Sequence, residues 1–190
     1  MARVTEVKKA RTDQGECKCG KEIKAGDPYR WAQPGFRGAK RVRCMDTKCR
    51  FRPSELTTSK LAGVYGATEC AEDTIQAWDG KSGDVEDIKE ALTTCAEEVR
   101  EVAEEYRESA ENMREAFNGN SSSVADECEE KADEISSWAD ELKQAAEQLE
   151  DFEHGDEREE GDPEAIAEER ETWWEGVQSD ALEALGNCPV

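Results

Sequence analysis

The most regular feature of the chain is a run of apolar positions spaced three and four residues apart. Val85, Ile88, Leu92, Cys95, Val99, Val102, Tyr106, Ser109, Met113 and Ala116 follow one another at 3, 4, 3, 4. This is a heptad seam, and it predicts one long helix. Asp84 stands at its N-cap, with acidic residues in the first turn. At ~1.5 Å per residue such a helix is about 50 Å long. Asn118-Gly119-Asn120-Ser121 breaks the pattern. A second seam follows over 122–152: Val124, Cys128, Lys131, Ile135, Trp138, Leu142, Ala145, Leu149 and Phe152. Two helices of matching length joined by a short turn predict an antiparallel hairpin, a coiled coil folded about residue 120. That register sets Cys95 near residue 145, away from Cys128, so no disulfide is expected between them.

The pattern on either side is less regular. Leu61, Val64, Tyr65, Thr68 and Ile75 predict a helix from Thr57 or Thr58 to about Trp78, weakened by Gly63 and Gly66 and ended by Gly80-Lys81-Ser82-Gly83. Glu153 to Gly161 reads as a charged linker. Asp162-Pro163 starts a last helix, which carries Ile166, Trp173, Val177, Ala181 and Leu185 and closes at Gly186. Of the adjacent Trp173 and Trp174, one ring is expected on the hairpin, and the other at its rim or as a handle for a partner.

The helical period is absent from the first third. Residues 1–16 suggest a short strand or basic arm, with Val4, Val7, Lys8, Lys9 and Arg11. Turns fall at Ala25-Gly26-Asp27-Pro28 and Pro34-Gly35. Tyr29-Arg30-Trp31 and Lys40-Arg41-Val42-Arg43 alternate in character as two short antiparallel strands do. The fold class expected is therefore α+β: a small β-rich module over 1–60, then an acidic helical domain over 61–190.

Charge sharpens this division. The chain of 190 residues carries a net −22. Residues 1–60 hold 16 Lys/Arg against 7 Asp/Glu, and residues 61–190 hold 9 against 40. One end is built to meet an anion, and the other repels one. High-salt adaptation would acidify both ends. Carboxylates on helix outer faces usually mean solvated helices, and a sharper reading is mimicry of nucleic acid. No segment approaches the ~18–20 apolar residues of a membrane span. MARVTEVKKAR has no apolar signal core, so a reducing, cytoplasmic interior is expected.

Cysteine placement supplies the chemistry. Cys17-Lys18-Cys19-Gly20 is one close pair, Cys44-x4-Cys49 is another, and 24 residues separate Cys19 from Cys44. Two short pairs bridged by a loop match the demand of zinc for four soft ligands in a tetrahedron. Two disulfides or four unlinked thiols are the alternatives. Cys70, Cys95, Cys128 and Cys188 are scattered singly through helical sequence, where Cys acts as a small hydrophobe. Such a β-module has too little core to fold alone, so the metal would supply most of its stability.

The stretch from the loop between the pairs to just past Cys49 mixes Arg30, Arg37, Lys40, Arg41, Arg43, Lys48, Arg50 and Arg52 with Tyr29, Trp31, Phe36 and Phe51. Cations meet phosphates and rings stack on bases, so these positions, with Trp31, form a candidate nucleic-acid surface. The competing readings are a protein partner, the chain's own acidic helices, or plain solvation. No enzyme is expected. Four cysteines complete a zinc shell, His154 is the single histidine, and no phosphate-binding Gly-rich loop is present. The reading is thus a non-enzymatic zinc finger that binds nucleic acid, its helical hairpin serving as a spacer or homo-oligomerisation arm. The alternative is an adaptor that binds proteins.

The C-x-C-G-x-x-I-x-x-G start at Cys17 resembles the opening of the poly(ADP-ribose) polymerase-type finger. That family uses three Cys and one His with a wider first spacing, whereas Cys44 and Cys49 fill the later positions here. The run through Arg52-Pro53-Ser54-Glu55-Leu56-Thr57, the stretch from Glu98 to Met113 and Ser137-Trp138-Ala139-Asp140-Glu141-Leu142 are similar to small phage-encoded zinc-finger and coiled-coil proteins of unassigned function. This resemblance implies a viral origin and a finger joined to a helical hairpin.

Overall fold

The computed structural model describes the chain except for residues 36–37, 80–83, 117–122, 153–162 and 190. It is an α+β protein with β strands near the N-terminus and long helices after them. The expected breaks at Gly80–Gly83 and Asn118–Ser121, the linker from Glu153, the cap at Asp162, and His154 all lie outside the described residues. Two compact units are present, Met1–Gly66 and Ala67–Val190.

The first unit holds β1 (Thr5–Val7), β2 (Gly15–Glu16), β3 (Glu22–Ile23), β4 (Tyr29–Ala32) and β5 (Arg41–Cys44). β1, β4 and β5 form an antiparallel sheet in that order, and β2 pairs with β3. The strands expected around Tyr29 and Arg41 are thus β4 and β5, and the N-terminal arm adds a third beside them. The register puts Val7, Tyr29 and Cys44 in one cross-strand row, and Glu6, Arg30 and Arg43 in the next. Because side chains alternate across a sheet, these rows face opposite sides. The first side carries a core of Ala10, Cys17, Ile23, Tyr29 and Cys44, flanked by Val7, Trp31, Val42 and Cys49.

α1 (Pro53–Leu56) is a single turn. Pro53 begins it with its φ already helical, and Thr57, in extended conformation, ends it. The helix expected from Thr57 or Thr58 therefore starts later, as α2 (Leu61–Ala77), and runs unbroken through Gly63 and Gly66. The boundary between the units falls within α2.

The second unit contains α3 (Val85–Ala116), α4 (Ser123–Gln148) and α5 (Pro163–Gly186). α3 and α4 form the antiparallel hairpin. Arg100 pairs with Asp140, Arg107 with Asp133 at 3.1 Å and Arg114 with Asp126 at 3.0 Å. As one partner's number rises the other falls equally, so the helices run antiparallel in the register that the seams predict. The buried stripe differs from the seam in detail. Val85, Ile88, Leu92, Cys95, Val99 and Val102 are buried as expected, but Val124 is 51% exposed. Alanines at every seventh position are buried instead: Ala96, Ala103 and Ala110 in α3, and Ala125, Ala132, Ala139 and Ala146 in α4. In the register of the ion pairs, Ala96, Ala103 and Ala110 lie within a turn of the levels of Ala146, Ala139 and Ala132. Small side chains let two helices approach closely, and a 3.6-residue period drifts off a strict heptad.

α5 is fastened by its tryptophans. Trp174 Nε1–H donates to the Trp78 carbonyl at 3.2 Å, and Trp173 Nε1–H donates to the Glu150 carbonyl at 3.1 Å. The Trp173 ring lies 5.7 Å from Trp78 and 5.5 Å from Phe152. Both rings of the Trp pair are half-buried and bonded within the helical unit, which agrees with the docked ring and the rim contact expected. Trp138 is 2% exposed and donates to the Ala184 carbonyl at 3.1 Å.

Replacing Leu142, fully buried in α4, with alanine is expected to destabilise the protein by about 2–5 kcal/mol. Replacing the partly exposed Arg100 should cost less than about 1 kcal/mol. Denaturant titration followed by circular dichroism checks both. Burial, with Glu98 adding to it, pushes the Cys95 thiol up to about 12. An alkylating reagent should therefore label exposed Cys70 well ahead of Cys95 in the folded chain, read by peptide mass spectrometry.

Candidate metal centre

Each cysteine pair sits where the backbone reverses. Cys17 and Cys19 lie at the tip of the β2–β3 hairpin. There the Gly20 N–H donates to the Cys17 carbonyl and the Cys17 N–H to the Lys21 carbonyl, both at 2.8 Å. Gly20 has φ +85°, a conformation that side-chain-bearing residues avoid, so the glycine after the pair makes the turn. Cys44 ends β5. A single 3-10 turn, Thr47–Cys49, then carries Cys49 back, with the Asp46 side chain accepting from the Lys48 N–H at 2.9 Å.

The two turns bring the four sulfurs together. All four Sγ atoms lie within 4.8 Å of one another, and the Cys19 and Cys44 sulfurs are 3.8 Å apart. A tetrahedral ion with ligands at ~2.3 Å would place its sulfurs about 3.8 Å from one another. Zinc thus fits the donor set and its size. None of the eight cysteines is in a disulfide. Cys17 and Cys44 are buried, while Cys19 is exposed. The Cys44 N–H donates to Cys17 Sγ at 3.2 Å, which steadies that sulfur as a ligand.

The thiols oppose one another. Burial pushes Cys17 up, but hydrogen bonds from the backbone of Cys19 and Cys44 outweigh it and hold this thiol down to about 7. Burial raises Cys44. Cys49 is raised further, chiefly by the sulfurs of Cys19 and Cys44. One thiolate forms readily, and the next must form beside it. A divalent cation among the sulfurs relieves that conflict.

The basic residues divide into two groups. Arg30 and Arg43 are buried on the sheet side opposite the core. Arg30 donates to the Met45 carbonyl at 3.3 Å, and Arg43 pairs with Glu55 and lies 5.1 Å from the Phe51 ring centre. Arg41 donates to the Glu55 carbonyl at 3.1 Å. Arg41 and Arg43 thus fasten the segment from Phe51 to Glu55 onto the sheet, while Arg30 ties down the residue after Cys44. Lys40, Arg50 and Arg52 are exposed, Trp31 is half-buried, and Arg37 lies outside the described residues.

Sequence reasoning passed over Glu55. Its carboxylate takes Arg43, the residue before Cys44, and Lys18, the residue between Cys17 and Cys19, at 3.9 Å. It also accepts from the Arg52 N–H at 3.1 Å. Both metal-binding turns therefore share one anion. Its signal was a lone acid in a basic stretch, three residues after Arg52 and at the capping position of a short helix.

No protein-family model matches the chain, and no curated protein or solved structure matches it either. The site is therefore read from its own geometry.

Metal uptake must displace protons from Cys44 and Cys49, whose thiols are held above the ordinary value. Zinc affinity should therefore rise with pH, by about tenfold or more per unit near neutrality. Competition with a chromophoric chelator checks this, and a flat profile would contradict it. Glu55→Gln should lower the unfolding temperature of the N-terminal unit while leaving the helical signal in place.

Proposed function

We propose that the N-terminal unit is a zinc-stabilised, non-catalytic module that binds nucleic acid, with the acidic helices as its spacer or self-association arm. The four-sulfur cluster carries this reading. Four thiolates fill a zinc shell and leave no position for water or substrate, which suits a structural ion. Their hold on two separate turns suits a unit whose apolar core is a handful of residues.

Surface charge supports the nucleic-acid part. Twelve of the 15 described Lys/Arg in residues 1–60 are exposed, against five of the 7 acids. Lys18, Lys21, Lys48 and Arg50 stand within a few residues of the cysteines and are all exposed. A surface of this sign attracts a polyanion, and the second unit, at a net −31, repels the same ligand. The contact set proposed is Lys21, Lys48 and Arg50, which are exposed beside the cysteines, because Arg30, Arg41 and Arg43 are used within the fold. Such a module works in a reducing interior, where its thiols stay free for metal. Among the described residues no helix is long and apolar enough to cross a membrane.

Binding to a nucleic-acid probe should weaken steeply with salt, by a log–log slope of about −0.9 for each phosphate neutralised on duplex DNA. Lys48→Ala with Arg50→Ala should lower affinity and reduce that slope by roughly two. Fluorescence anisotropy across a salt series reads both. Affinity that ignores salt, or that both substitutions leave unchanged, would turn the reading toward a protein-binding adaptor.

A further inference from the structure

The aromatic residues decide which form of nucleic acid this surface fits. Proteins that grip single strands combine cations with open ring faces, on which successive bases stack. Residues 1–60 carry four aromatic residues, and three lie among the described residues. Tyr29 is 7% exposed and belongs to the core beside Cys17 and Cys44. Trp31 packs against that core and is half-buried. Lys40 Nζ lies 5.2 Å from the centre of each of these two rings. It is held there by bonds to Gln14 Oε1 at 3.0 Å and Tyr29 Oη at 3.4 Å. Phe51 is half-buried under the Arg43 guanidinium, which Glu55 fixes in turn. Each of the three described rings is thus taken by the core, capped by a cation, or both. A base would have to displace Lys40 or break the Arg43–Glu55 pair to stack.

The cations remaining at the surface suit phosphates better than base edges. Seven of the twelve are lysines, whose compact charge meets a phosphate without the two-pronged geometry that reads guanine. Of the five arginines, Arg41 is already committed to the Glu55 carbonyl. We infer that the module binds double-stranded nucleic acid through its phosphate backbone, without reading sequence and without stacking on bases. A duplex presents one charge per ~1.7 Å of its axis and keeps its bases paired, so it demands only what this surface offers. The inference rests on the nucleic-acid reading above and narrows it.

The test uses the full-length, zinc-loaded chain and three fluorescent probes of about 20 residues per strand, matched in length. The probes are a DNA duplex, an RNA duplex and a single DNA strand, measured at one salt concentration. At least one duplex should bind about tenfold or more tighter than the single strand, and scrambling its sequence should change affinity less than about threefold. Single-strand binding as tight as the duplexes, with quenching of tryptophan emission that Trp31→Phe removes, would overturn the inference and leave the nucleic-acid reading standing. So would a sequence preference above tenfold. Binding to none of the three would overturn both together.

Discussion

The N-terminal unit is organised around four sulfurs that two turns draw to one point. The β2–β3 turn and the end of β5 are short pieces of backbone with few apolar side chains. A sheet of three- and four-residue strands has little to bury, so its stability must come from a crosslink. Burial raises Cys44, and the Cys19 and Cys44 sulfurs raise Cys49, so the thiols do not ionise together readily. A metal ion among them would turn that conflict into four bonds. Glu55 reinforces the same point from the other side of the sheet, through Lys18 and Arg43.

The helical unit rests on a different kind of constraint. Its hairpin is held by a buried stripe of aliphatic and alanine side chains, edged by ion pairs in a fixed register. The last helix is fastened by indole N–H groups that donate to the main-chain carbonyls of Trp78, Glu150 and Ala184. Carboxylates are left for the solvent face. The chain thus gives a cationic module built around a cysteine cluster to one end and an apolar-cored anionic bundle to the other. The strong charge asymmetry of the sequence persists at the surface, because only Arg30 and Arg43 among the described cations of the first 60 residues are buried.

Legibility in the sequence followed the range of each interaction. The cysteine pairs, the glycine beneath the first of them, the antiparallel strands at Tyr29 and Arg41 and the hairpin register were readable, because each depends on spacing within a short window or on two matched periods. The buried alanine rows were not. A reading weighted toward large apolar residues follows Val124 and Lys131, while Ala125 and Ala132 lie at the contact. The fates of Arg30 and Arg43 were also hidden. Whether an arginine meets solvent or a carboxylate depends on Glu55 and Phe51, which return to the sheet only after the chain has passed through the metal site. Charge composition alone counted these arginines as surface.

The most direct measurement is X-ray absorption at the zinc edge on protein purified without added metal. The account predicts one zinc per chain in a shell of four sulfurs at about 2.3 Å. A chain without zinc, or a shell containing nitrogen or oxygen ligands, would contradict it.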